Sequence, residues 1–159
     1  MPWSDRLTAG IGRMSLTSEY RNHGICFHYP RSWQQTEESS DDAITVTVAD
    51  AGTFWSITIL HRRPPAMQVM SEALAAFQDE YEDIDEYEAQ AVLNGEDAIA
   101  RNLEFVAMEL INCVFLRVIE VGAQTLFVMA QVTDHERKDY EPQFEAITAS
   151  IRVDEDGSR

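Results

Sequence analysis

Three long strand segments, Ala98–Met108, Leu110–Val121 and Gln124–Thr133, follow one another with only one or two residues between them. A connection that short can only turn a chain back beside itself, because parallel neighbours need a crossover of a dozen residues or more. Gly122-Ala123 predicts a tight hairpin between the last two. These three segments therefore commit the chain to an antiparallel sheet. The same pattern occurs earlier. In Ala43–Ala49, Ile44, Val46 and Val48 alternate with Thr45 and Thr47, and Asp50-Ala51-Gly52 turns the chain into Thr53–His61. There Trp55, Ile57 and Ile59 alternate with Phe54, Ser56 and Thr58. Period-2 alternation, β-branched residues and turn residues between the runs predict a hairpin.

Shorter elements surround these. A first strand is expected at Leu16–Tyr20, a turn at Asn22-His23-Gly24 and a second strand at Ile25–Tyr29, stopped by Pro30. A short strand at Trp33–Thr36 then leads into a polar loop, Glu37–Asp42. Ile84–Leu93 reads as a strand, and Asn94-Gly95 is a strong turn signal into the next one. Two segments carry the helical period instead. Over Ala66–Tyr81, Met67, Met70, Leu74, Phe77 and Tyr81 fall on one face, after the break at Arg63-Pro64-Pro65. Near the C-terminus, Tyr140, Phe144, Ile147 and Ile151 form a second stripe. Asp134 is placed to cap that helix, and Pro142 is expected to delay its regular part to about Glu141.

The predicted fold is α+β: an antiparallel sheet of about six or seven strands, flanked by two or three helices that use it to bury their stripes. A Rossmann-type order would need a helix after nearly every strand. One domain is expected over residues 14–153, with a loosely ordered lead-in at 1–13 and a polar tail at 154–159. At 159 residues the chain is long enough to bury a core without staples. The longest apolar runs are interrupted by Asn112, Arg117 and Gln131, well short of a membrane span.

Charge narrows the function classes. The 28 acidic and 12 basic residues leave a net charge of −16. Such a surface repels phosphate backbones and anionic lipid, so neither nucleic acid nor membrane is an expected partner. The N-terminal residues contain no continuous apolar stretch of the kind that directs export, so a cytoplasmic location and two reduced thiols, Cys26 and Cys113, are expected.

Catalytic patterns are weak. Ser32, Ser56 and Ser150 lack a nucleophile-elbow context, and there is no Gly-rich phosphate loop. Cys26-x-His28 puts two potential ligands on one strand face, but zinc sites take three or four. No metal, cofactor or catalytic residue is expected. Arg101 and Arg117 lie on otherwise apolar strands, which calls for a carboxylate partner, a sheet edge or a pocket.

Two features suggest a binding surface. Aromatic residues gather around Trp33, Phe54 and Trp55; Phe54 and Trp55 are adjacent in one strand and point to opposite faces, so either both faces are covered or one binds a partner. Asp79–Glu88 carries seven carboxylates in ten positions, without the spacing of a calcium-binding loop. Its strand part reads as a charged sheet edge, as a docking site for a basic partner through Glu82, Glu86 and Glu88, or as a cation site. A second class of function is a carrier of a small molecule or lipid, with Met67, Met70 and Phe77 lining a cavity between helix and sheet.

The segment Gly24-Ile-Cys-Phe-His-Tyr-Pro-Arg-Ser-Trp33, with Tyr20 before it and two hairpin strands after it, resembles the PsbP and Mog superfamily, which also includes DcrB-like bacterial proteins. The ending Tyr140, Pro142, Phe144, Ile147, Ser150-Ile-Arg152 is similar to that superfamily's last helix and exit strand. The resemblance covers about residues 16–153. It implies an antiparallel sheet sandwiched between helices. It further implies a non-enzymatic adaptor or chaperone-like module; from the aromatic and acidic features, the expected module is monomeric or weakly dimeric and docks a basic or apolar protein or peptide through its sheet surface and acidic rim.

Overall fold

The computed structural model describes residues 18–154. Within them the chain forms two antiparallel sheets. The large one contains β3 (Gln34–Ser39), β4 (Ala43–Asp50), β5 (Thr53–His61), β6 (Asp85–Leu93), β7 (Glu96–Ala107), β8 (Leu110–Val121) and β9 (Gln124–Thr133). Its strand order is β3-β4-β5-β9-β8-β7-β6. The two hairpin runs thus meet at β5 and β9, and helix α1 (Ala66–Glu80) makes the long connection between them. Helix α2 (Arg137–Ala149) follows β9 after a 3-10 turn at Asp134–Glu136.

The α+β class and the helix-flanked antiparallel sheet match the expectation, with one correction. The Ile25–Tyr29 strand, β2, does not join the large sheet. It pairs with β1 (Ser18–Asn22) and β10 (Arg152–Val153) in a separate three-stranded sheet. Pro30 and the turn to Trp33 separate the two, with the Trp33 N–H donating to the Pro30 carbonyl at 3.0 Å. The first-strand expectation at Leu16–Tyr20 falls partly outside the described residues, as do the expected lead-in and most of the polar tail.

The two faces of the large sheet have separate cores. On one, α1 lays Ala66, Val69 and Met70 against Leu103, Phe105, Val114, Leu116 and Val118. On the other, α2 and the small sheet cover Trp55, Ile57, Phe115 and Val128. Phe27 of β2 meets Trp55 with ring centroids 4.9 Å apart, and Trp55 Nε1 donates to Thr148 Oγ1 of α2 at 2.9 Å. Tyr140 Oη donates to Asp50 at 2.8 Å, which fastens α2 to the β4–β5 turn. That bond is the main reason its hydroxyl pKa is pushed up to about 12.

Four local expectations are corrected. β3 runs on to Ser39 through the expected polar loop; all its residues are exposed, so no apolar alternation marks it. Helix α2 is regular from Arg137 rather than Glu141, with Pro142 inside it. The proline forfeits one helical hydrogen bond, while Arg137 holds that first turn through Glu141 at 2.8 Å and Glu104 at 3.2 Å. Asp134 makes no capping bond. In α1 the buried stripe passes through Ala66, Val69 and Met70. Small and β-branched residues at the first turn let the helix approach β8 closely, which rolls Met67 outward to 53% exposure.

The start of α1 has no cap of its own, since Pro65 carries no hydrogen-bonding side chain. The cap comes from the end of β8. Glu120 accepts from the Ala66 N–H at 2.7 Å and from Arg63 Nε at 3.3 Å. The Ala66 bond, then the arginine, hold the Glu120 carboxyl below its ordinary pKa. A carboxyl depressed in the folded state stabilises above its unfolded pKa, and that stabilisation is lost as pH falls through the folded value. Glu120→Gln is therefore expected to lower Tm at neutral pH and to shrink that gap as the pH is taken below the ordinary carboxylate range. Thermal melts of both proteins across pH check this; a constant gap would show that the charge plays no part.

Candidate functional site

Trp33 and Trp55 do not form a surface. Trp33 is 5% exposed, packed between Tyr140 and Phe144, and Trp55 is fully buried. Their proposed contact with a partner is corrected: both are core residues, held there by the helix and small sheet covering that face. Phe54, on the opposite face of β5, is half-buried. Of the cavity residues, Met70 is fully buried, Met67 faces outward, and Phe77 packs against Phe105 and Tyr81. Glu82, Glu86 and Glu88 are exposed. Glu86 lies 3.6 Å from Arg101 of β7, and Glu88 is its directly paired residue. Part of the acidic run thus balances a cation of the same sheet face.

The register brings together a cleft that the sequence pattern did not reveal. Helix α2 lies over the large sheet and leaves a gap between its Glu141–Ala149 flank and edge strand β6. The floor is apolar, formed by Phe115, Val128 and Ala130, with Ala91 and Val92 on the β6 side and Phe144 on the helix side. The open volume is about 200 Å³. A neighbouring cleft beyond Phe115 is bordered by Tyr87, Asn102, Glu104 and Arg137.

One cation sits in this apolar site. The Arg117 guanidinium donates to Asn102 Oδ1 at 2.8 Å and to the Leu116 and Arg101 carbonyls at 3.0 and 3.4 Å. No carboxylate among the described residues comes within 4.0 Å of it. Burial pulls its pKa below the usual arginine range, and Glu141 and Glu145 on the rim partly counter this at longer distance. Arg117 was expected to be paired, at an edge or in a pocket; the pocket and a neutral amide partner are what the fold supplies. The rim itself is acidic.

β6 is one of the two edges of the large sheet, and among the described residues it pairs only with β7. An open edge presents unpaired backbone donors and acceptors that can template another strand. Its first half, Asp85–Glu88, carries three carboxylates. The second half, Ala89–Leu93, carries none and forms one wall of the cleft.

No protein-family model matches the chain, and no curated protein matches it. Solved structures do. The fold is similar to that of a Bacteroides thetaiotaomicron VPI-5482 protein, with a TM-score of 0.60 at 11% identity over 91% of this chain. This chain spans about half, 50%, of that protein's length. It is also similar to cyanobacterial PsbP (CyanoP) from Synechocystis sp. PCC 6803, with a TM-score of 0.57, 15% identity and coverage of 91% of this chain and 95% of that one. A third is LpqN, involved in cell envelope biogenesis of Mycobacterium tuberculosis, with a TM-score of 0.54, 16% identity and coverage of 82% and 83%. At these identities the likeness defines the fold alone: the chain has the PsbP/Mog-like fold. None of the names states an enzymatic activity, and no helix among the described residues is long and apolar enough to cross a membrane.

Proposed function

We propose that this chain is a non-enzymatic binding module that docks an extended segment of a partner protein along β6, seating one apolar side chain in the cleft beside α2. The observation that carries this reading is the uncharged half of an open edge strand forming the wall of an apolar cleft. Strand addition to a sheet edge takes affinity from backbone hydrogen bonds and specificity from pockets for alternate side chains. The cleft volume also favours this reading over the carrier. Small-molecule sites run to about 300–1,000 Å³, whereas about 200 Å³ suits a single side chain. The carrier reading is weaker for a second reason: Met70 is fully buried and Met67 faces outward.

Charge sets the partner's chemistry. Glu82, Glu86 and Glu88 along one end of the edge, and Glu141 and Glu145 on the cleft rim, favour basic residues flanking the apolar one. Exposed charges of this kind act mainly on encounter and specificity. An acidic module of net charge −16 would carry its partner without competition from nucleic acid or anionic lipid.

The test uses the immobilised chain as bait in extract of its native host, beside two variants. Ala91→Trp fills the cleft from the β6 side and is expected to cut recovery of the partner at least about tenfold, the equivalent of 1.4 kcal/mol. The triple variant Glu82→Gln, Glu86→Gln, Glu88→Gln is expected to slow association several-fold at low salt and much less at high salt, because exposed charges are screened. Hydrogen exchange on the recovered complex should show new protection of the β6 amides. Equal recovery by Ala91→Trp, or protection confined to other strands, would sink the proposal.

A further inference from the structure

The outer face of the small sheet carries a second constellation, remote from the α2 cleft. In β2, Ile25, Phe27 and Tyr29 turn toward the core, so Cys26 and His28 lie on the other face of the strand, where neighbouring groups leave Cys26 only 5% exposed. The antiparallel register sets Glu19 of β1 directly opposite His28 and diagonal to Cys26. Cys26 Sγ lies 3.1 Å from Glu19 Oε2, and His28 Nε2 lies 3.8 Å from the same oxygen. The three donor atoms all fall within 4.8 Å of one another.

We infer that Glu19, Cys26 and His28 form a three-ligand site for a divalent zinc-type cation. The size of the triangle is the first reason. Zinc bonds of about 2.3 Å to sulfur and about 2.0–2.2 Å to nitrogen or oxygen, in tetrahedral geometry, put neighbouring ligand atoms about 3.3–3.6 Å apart. The two edges from Glu19 bracket that range, and the Cys26–His28 edge, within 4.8 Å, closes by up to about 1.3 Å through the half-exposed His28 side chain. Ligand chemistry is the second. A thiolate, a carboxylate and a neutral imidazole balance a dication, and this mixture suits zinc better than hard cations, which prefer oxygen alone. Support is the third. All three ligands come from one hairpin whose inner face is locked by Tyr20, Ile25 and Phe27, so the backbone is set before the metal arrives.

Arg21 is the competing group. Its guanidinium donates to Glu19 Oε2 at 2.8 Å. That side chain is 64% exposed and free to swing. When Oε2 turns to the metal, Arg21 is left to hold the carboxylate's second oxygen, the outer-shell support that ligating carboxylates usually have. Arg152, directly opposite Cys26 in β10, is the other cation on this face. On binding, the Cys26 thiol releases its proton to solvent and the sulfur bonds the metal as thiolate. Glu19 and His28 are 41% and 43% exposed, so the fourth position opens outward to water or to a donor from a partner.

Cobalt(II) and zinc titrations of the purified, reduced full chain test this. One cobalt per chain is expected, with a thiolate-to-metal charge-transfer band in the near ultraviolet that zinc bleaches. Cys26→Ser should abolish the band. His28→Gln and Glu19→Gln should each weaken zinc binding by roughly 100-fold, at the upper end of what losing an outer-shell partner costs. The last two change exposed side chains and leave folding intact, so they decide the matter if Cys26→Ser folds poorly. Cys113→Ser and His61→Gln, elsewhere in the fold, should titrate like the parent. No saturable one-to-one binding, or a band that survives Cys26→Ser or disappears with Cys113→Ser, overturns the assignment.

Discussion

Trp55→Ala is expected to destabilise the protein by about 3–5 kcal/mol, the range for truncating a large buried aromatic. Trp55 is fully buried at the junction of three elements: β5, which carries it, Phe27 of the small sheet, and Thr148 of α2. Its loss opens a cavity at the point where the second sheet and the helix are held to the first. Trp33→Ala is expected to fall in the same range, because Trp33 wedges the Pro30 turn against Tyr140 and Phe144. Urea unfolding gives both numbers. A cost below about 1 kcal/mol at either position would place that residue at the surface. Thr148→Val separates the hydrogen bond from the packing. It removes only the acceptor of the buried indole N–H, so its cost should be about 1–3 kcal/mol.

The opposite face gives the second large effect. Met70→Ala is expected to cost about 2–5 kcal/mol, since Met70 is fully buried between α1 and the apolar side chains of β7 and β8. Met67→Ala, three residues earlier in the same helix, is expected to change stability by no more than about 0.5 kcal/mol, because its side chain faces outward. The contrast measures the roll of the helix directly. Equal costs at the two positions would mean that both methionines face the sheet. The sheet separates Met70 from Trp55, so Met70→Ala and Trp55→Ala should add within about 0.5 kcal/mol.

These expectations show where local pattern was enough and where it failed. The ends of β8 and β9 fall where the Gly122-Ala123 turn puts them; β8, covered on both faces, reads as a long apolar run, whereas β9 buries alternate residues and so writes its register into the chain as period 2. β4 and β5 were legible for the same reason. β3 was legible only at its start, as the short strand expected at Trp33–Thr36; its run on to Ser39 was not, since an edge strand with every residue exposed has no apolar face to display. The stripe of α1 was read correctly at Met70, Leu74, Phe77 and Tyr81 and missed only at Met67. Methionine fits a helical stripe equally well facing inward or outward, and the roll of a helix is set by how closely its first turn can approach the sheet. Here Ala66, Val69 and the Glu120 cap decided it.

The sites divide in the same way. Cys26 and His28 were visible as a pair because i and i+2 share a strand face. Glu19 joins them through the pairing of β1 with β2, whose register follows from the Asn22–Gly24 turn, so this contact was latent in the hairpin signal. The α2 cleft had no such signal. Ala91, Phe115, Val128 and Phe144 are ordinary apolar positions on four separate elements, and Arg117 among them announced only that some partner or pocket was needed. Acting alone, the sequence determined the antiparallel sheet, its hairpins, the two helical stripes and the acidic surface, because each is a property of neighbours along the chain. Only tertiary structure decided that β2 would leave the main sheet, that helix and small sheet would cover the Trp55 face, and that β6 would border an open cleft. Those outcomes depend on which faces meet across the fold, and packing between distant segments leaves no period in the sequence.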